Sequence, residues 1–178
     1  MRLIGTPLPE GVTSMVQEAE IRSDFHPLFY VELGRLVVAV GRIEYALKLC
    51  IKDLKGEGFT AGMPFAESTR NFSDLCSKVI ELSEAKYKEP DRTFFRGVVE
   101  AIRELGGERN DMIHALWTVT KDRVALRVRP ERIKKTKSVD WKKTRPIEMK
   151  ELTELRRTLE SSYAVLEDCR QSFQTRTS

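Results

Sequence analysis

Cysteine is scarce: three in 178 residues, at positions 50, 76 and 169. They are odd in number and too far apart for a CxxC clamp, which argues against a disulfide framework. Each falls within an apolar helical pattern, so buried free thiols are expected. Glycine and proline are also few, 10 and 7, beside 40% hydrophobic and 33% charged residues. That balance fits a soluble, largely helical globule and not a disordered or fibrous chain. The longest apolar run, Leu36 to Gly41, is far short of a membrane span. The opening MRLIGTPLPEG has no apolar stretch of signal-peptide length, so a cytoplasmic location is expected unless another protein carries the chain elsewhere. There is no P-loop, no GxSxG and no HExxH, which leaves nucleotide hydrolysis, serine chemistry and zinc proteolysis without support.

What is present is unevenly distributed. The net charge is only +4, yet Lys121 to Arg145 holds eleven basic residues against Asp122, Glu131 and Asp140. That stretch carries a local +8, so the remainder sums to −4. Such asymmetry suits a basic patch facing a polyanion. The residues concerned are Arg129, Arg132, Lys134, Lys135, Lys137, Lys142, Lys143 and Arg145, around a single aromatic, Trp141. They fit an electrostatic funnel for an RNA backbone with Trp141 stacking on a base. They fit equally a solvated loop, or a dock for an acidic partner.

The length suits one domain with an appendage. Residues 1–27, with Pro7, Pro9 and Pro27, read as an N-terminal arm with a short helical piece around Ser14 to Ile21. A helical domain is expected over 28–178. Its first helix runs from about Leu28 to Lys55 and is ended by GEGFTAGMP. A second is expected from Phe65 or Glu67 to about Lys86, and a third opens at Glu89-Pro90 with a stripe of Phe94, Val98, Ala101, Ile102 and Leu105. Gly106-Gly107 should kink or interrupt that third helix. WTVTKDRVALRV reads as a β-hairpin, followed by a basic, irregular loop, the two together occupying about 117–146. A last helix runs from about Glu148 to Ser172. The expected architecture is an all-α four-helix bundle with a small β-hairpin and basic loop inserted before the last helix.

Two polar features sit in apolar surroundings. Counting about 100° per residue from Leu33 places Glu44 about 20° from the centre of the first helix's apolar stripe. A carboxylate there needs a cation or several donors. Lys48 is one turn on, so the partner is either Lys48 with some arginine, or Glu44 orients Arg109 or His114. The second feature is ERNDMIHALW, residues 108–117. Asn110 and His114 share a helical face, whereas Arg109 and His114, five apart, diverge by about 140° on a straight helix. The two can converge if two copies of the helix cross in a dimer, or if the glycine pair turns Arg109 toward the histidine. The other histidine, His26, reads as a loop residue. Asp111 with His114 has the i,i+3 spacing of a metal pair, but no second carboxylate motif matches it, so neither metal nor cofactor is expected.

Arg109-Asn110-(three residues)-His114, late in a helical chain and trailed by Ala115-Leu116-Trp117, resembles the Arg-x4-6-His signature of HEPN-domain proteins, in its small prokaryotic RN-x3-H form. Glu44-(three residues)-Lys48 on an earlier helix is similar to the Glu-x3-Lys/Arg element of that family. The resemblance covers roughly residues 28–117 and the last helix. It implies a metal-independent endoribonuclease acting as a homodimer whose motifs face each other, and a toxin or defence effector as the biological setting, with an antitoxin or regulatory protein as a further partner. Arg109, Asn110 and His114 would be catalytic, with Glu44 and Lys48 in support. It equally implies the alternative of a HEPN-like dimeric module that binds RNA or a protein partner without cutting. Histidine titrates near neutrality and can exchange the proton of a 2′-hydroxyl. Arginine can hold a phosphate bidentately.

Overall fold

A computed structural model describes residues 25–67, 71–119, 124–128, 131–132, 139–140 and 145–177. The expected N-terminal helical piece and most of the basic stretch lie outside the described residues. Among the described residues there are five helices: α1 (Pro27–Lys55), α2 (Phe59–Glu67), α3 (Phe72–Lys86), α4 (Asp91–Ile113) and α5 (Met149–Thr177). Between α4 and α5 run β1 (Leu116–Val119), β2 (Ala125–Val128), β3 (Glu131–Arg132), β4 (Val139–Asp140) and β5 (Arg145–Pro146). The chain is thus mainly α with a small antiparallel sheet. No described helix is long and apolar enough to cross a membrane.

The described residues form two compact units. One draws on positions 35–109 and 154–177, the other on positions 25–34 and the described part of 110–153. The first is helical. Leu36, Ile43, Leu47 and Ile51 of α1, Val79 of α3, Phe95, Val99 and Ile102 of α4, and Leu159 and Leu166 of α5 are all buried in it. Tyr87, Phe95 and Phe173 make an aromatic cluster, with ring centroids 4.7 Å apart for Tyr87–Phe173 and 5.7 Å for Phe95–Phe173. Helices α1 and α5 are joined by Arg170, which donates to Asp53 at 2.7 Å and to Glu167 at 2.8 Å. Lys86 of α3 donates to the Asp53 carbonyl at 3.0 Å.

Local chemistry explains the helix ends. Gly56, at φ 68°, stops α1 in the left-handed conformation that glycine adopts without penalty. Asn71 caps α3, its side-chain oxygen accepting from the Asp74 amide at 2.8 Å. The segment expected only to terminate α1 forms the separate helix α2. A Cβ at Gly62 would stand 2.4 Å from Lys52 Cγ, so glycine lets α2 lie against α1.

Helix α4 departs from the sequence reading twice. Its buried stripe is Phe95, Val99, Ile102 and Gly106, while Phe94 is exposed, a shift of one residue. The doubled Phe94-Phe95 and Val98-Val99 fit either register, and packing selects the second. Nor does the glycine pair break the helix, which is continuous from Asp91 to Ile113. A Cβ at Gly106 would lie 3.0 Å from the Phe72 ring, whereas one at Gly107 meets nothing within 4 Å. Gly107→Ala is therefore expected to raise stability by up to about 1 kcal/mol through helix propensity. Gly106→Ala is expected to lower it by about 1 kcal/mol net, because overpacking outweighs that gain. Denaturant midpoints of the two variants check the opposite signs.

All three cysteines are free and buried. Burial pushes each thiol up, that of Cys76 to about 11, with Arg103 and Arg109 partly opposing. At pH 8 the Cys76 thiolate is then about one part in a thousand. Native protein is expected to react with a disulfide reagent at least a hundredfold more slowly than unfolded protein. Fast labelling of even one thiol in the folded chain would contradict this.

In the second unit β1, β2 and β5 form one antiparallel sheet in that order. Trp117 pairs with Arg127 and Thr118 with Leu126, the hairpin expected from sequence. Strand β5 was not expected. It adds Arg145 beside Arg127 and Pro146 beside Leu126, with the proline on an edge strand, where a missing donor is tolerated. Strands β3 and β4 pair separately.

Candidate functional site

The helical unit answers the question posed by Glu44. The residue lies on the flank of the buried face of α1, its side chain 35% exposed, not at the centre of the stripe. The angular count misplaced it because Leu36 to Val40 is apolar at every position, on the inner and outer faces alike. Its partner is Arg109 of α4, whose side chain is 12% exposed and whose Nη2 donates to Glu44 Oε1. Among the described residues no ion pair joins Lys48 to Glu44. Lys48 is half-buried.

Arg109 continues the buried stripe of α4, three residues beyond Gly106. Its guanidinium carbon stands 4.9 Å from the centre of the Phe72 ring. The missing Cβ at Gly106 lets that ring close on α4, and the ring then supports the guanidinium one turn later. A carboxylate and an aromatic ring thus hold the cation. Phe72 was not singled out in the sequence, where no local pattern ties an aromatic at the start of α3 to an arginine on α4.

The second unit holds the rest of the motif. Asn110 is half-buried in the last turn of α4, and its carbonyl accepts from the His114 amide at 3.1 Å. His114 is exposed, in a bend directly after the helix. Trp117 holds that bend, its indole N–H donating to the Met112 carbonyl at 3.1 Å and its ring standing 5.0 Å from Phe29. Asp111 faces a cation: Arg127 Nη1 is 3.6 Å from its carboxylate. Arg127 is buried on β2, and an arginine between Leu126 and Val128 was the signal that could have announced the pair. The neighbouring Arg145 has its own acid, Glu151, at 2.7 Å. Burial pushes the Glu151 carboxyl up, but the Glu148 amide and Arg145 outweigh it and hold it below the usual carboxylate range. His26 precedes α1 outside any helix, its Nδ1 accepting from the Leu28 amide at 3.2 Å.

Of the proposed RNA-binding residues, Arg132 lies in β3, and Arg145 is exposed in β5. Arg129, Lys134, Lys135, Lys137, Trp141, Lys142 and Lys143 lie outside the described residues. Comparison with known protein families, with curated proteins and with solved structures finds no match to this chain.

Proposed function

We propose that this chain is a metal-independent endoribonuclease of HEPN type, its long helices forming a four-helix bundle and two copies sharing a composite site. The observation that carries the reading is the Glu44–Arg109 pair, which fixes a guanidinium five residues before an exposed histidine. A bound RNA places its scissile phosphate against the outer edge of Arg109, which stabilises charge on the phosphoryl oxygens. His114 takes the 2′-hydroxyl proton as the 2′-oxygen attacks phosphorus, and the bond to the 5′-oxygen breaks. The partner copy's histidine returns a proton to that leaving oxygen. Products are a 2′,3′-cyclic phosphate and a 5′-hydroxyl, and Asn110 orients the ribose or the imidazole. The continuity of α4 through the glycine pair is one support for convergence of the two motifs across the dimer. The basic residues 129–145 hold the backbone, and an acidic antitoxin is a further candidate for that stretch.

The test is incubation with mixed single-stranded RNA in EDTA, with end-group analysis. Cleavage to cyclic phosphate ends, with DNA left intact, is the expected result, because DNA lacks the attacking hydroxyl. One observation favours a second reading: Arg109 is already engaged by Glu44 and Phe72, as a structural ion pair would be. In that reading the domain binds RNA or a protein partner without cutting. Intact RNA with salt-sensitive binding would establish it against the first.

A further inference from the structure

His114 occupies a two-residue bend, 114–115, between the end of α4 at Ile113 and the start of β1 at Leu116. A reacting side chain has to be held in place by its surroundings, and an exposed histidine in a bend has little packing of its own. Here both sides of the bend are tied, and to the same residue. On the helix side Asp111, in the last turn of α4, stands 3.6 Å from Arg127 Nη1. On the strand side Trp117 is the register partner of Arg127 in the ladder of β1 and β2. Residues 111–117 thus form a loop closed at Arg127, with His114 at its midpoint. Two hydrogen bonds tighten it from within: the Trp117 indole N–H donates to the Met112 carbonyl at 3.1 Å, and the His114 amide to the Asn110 carbonyl at 3.1 Å.

The burial of Arg127 is a second, independent observation. At 7% exposure it is the most deeply buried charged residue among the described ones. A buried ion pair adds little stability over apolar side chains of the same size, so leucine at this position would hold the hairpin as well. Only a long cation reaches the carboxylate at the end of α4. What arginine supplies is a fixed direction from β2 to the last turn of that helix.

The same residue stands at the root of the basic span. Positions 129–144 connect β2 to β5, and Arg127 is the register partner of Arg145. Two arginines directly opposite on neighbouring strands would repel. Each has an acid of its own, Asp111 for Arg127 and Glu151 for Arg145, the latter at 2.7 Å. The chain therefore leaves for the basic span and returns from it beside the residue that closes the loop around His114.

We propose that Arg127 is a positioning residue: tied to Asp111 on one side and to Trp117 on the other, it sets the place of His114 relative to the two ends of the basic span. The chemistry given to His114 rests on the ribonuclease reading, whereas the anchoring does not. A misplacement of about 1 Å can cost roughly 100-fold in rate, so the anchor acts on turnover. RNA affinity comes from the basic residues and is left to them.

Arg127→Met keeps the volume and removes the cation. Solvent exchange of the Trp117 indole N–H and of the His114 amide, followed by NMR, should become about tenfold faster in this variant. The Ile147 amide, which donates to the Ala125 carbonyl in the same sheet, should change by less than about threefold. The kcat for RNA should fall about tenfold or more with KM within about twofold, and Arg127→Lys, which keeps a cation for Asp111, should recover most of the loss. Unchanged exchange overturns the proposal, and so does equal acceleration of all three protons, which would be a general loosening of the sheet. Faster exchange with unchanged kcat in a protein that cleaves also overturns it. A wild-type chain that cuts no RNA overturns the ribonuclease reading alone, and exchange then decides the anchor. Should Arg127→Met fail to fold, Asp111→Asn cuts the same link from the more exposed side and is put through the same measurements.

Discussion

Glu44→Ala is expected to destabilise the fold by about 2 kcal/mol, a drop of roughly 4–8 °C in the melting temperature for a chain of this size. The loss comes from what stays behind. Arg109 is 12% exposed and cannot leave for water without opening the contact with Phe72. Removing one partner of a fully buried pair costs about 3–5 kcal/mol. The 35% exposure of Glu44 lets solvent enter its place and reduces the figure. Arg109→Met is expected to cost less, about 1 kcal/mol, because the carboxylate left behind is the more exposed partner and rehydrates. The double variant should then lie close to Arg109→Met, with a coupling of about 2 kcal/mol in the thermodynamic cycle. Additive losses would mean that the two side chains are held by their surroundings and not by each other.

His114→Ala has the opposite signature. The side chain is exposed and follows the end of α4, so the melting temperature should move by less than about 1 °C. If the proposed ribonuclease function holds, cleavage of RNA should fall by about 10²- to 10⁴-fold, the usual contribution of one acid–base group. Arg109→Lys separates charge from geometry. It keeps a cation for Glu44 but loses the planar fork that grips a phosphate, so cleavage should drop at least tenfold with little change in RNA affinity. An unchanged rate in His114→Ala would remove the histidine from the chemistry, whatever the RNA-binding properties of the protein.

How much of this could be read beforehand depended on whether a residue's environment was local. The long helices α1 and α5 were legible because a three-and-four spacing sustained over about five or six turns admits few alternatives. The need for a cation at Glu44 was legible for the same reason: a carboxylate beside an apolar stripe must be compensated. The register of α4 was not, since Phe94-Phe95 and Val98-Val99 are degenerate under a shift of one. The continuity of α4 through Gly106-Gly107 could not be read either, because it follows from the position of Phe72, contributed by another helix. Strand β5 escaped notice because two residues, one of them proline, carry no periodicity. Arg127 was counted as part of a basic patch, although its apolar neighbours marked it as an interior residue that needs an acid, which Asp111 supplies.

The buried cysteines have a use beyond their inertness. Cys50, Cys76 and Cys169 fall one each on α1, α3 and α5, buried so that each should react only when its helix opens. With single-cysteine variants, the rate of thiol modification becomes a clock for local opening, read helix by helix in the native state. The helix that opens with the lowest free energy is the one the fold can move without unfolding. Under the proposed function, a helix that RNA binding holds shut would show slower modification when RNA is added.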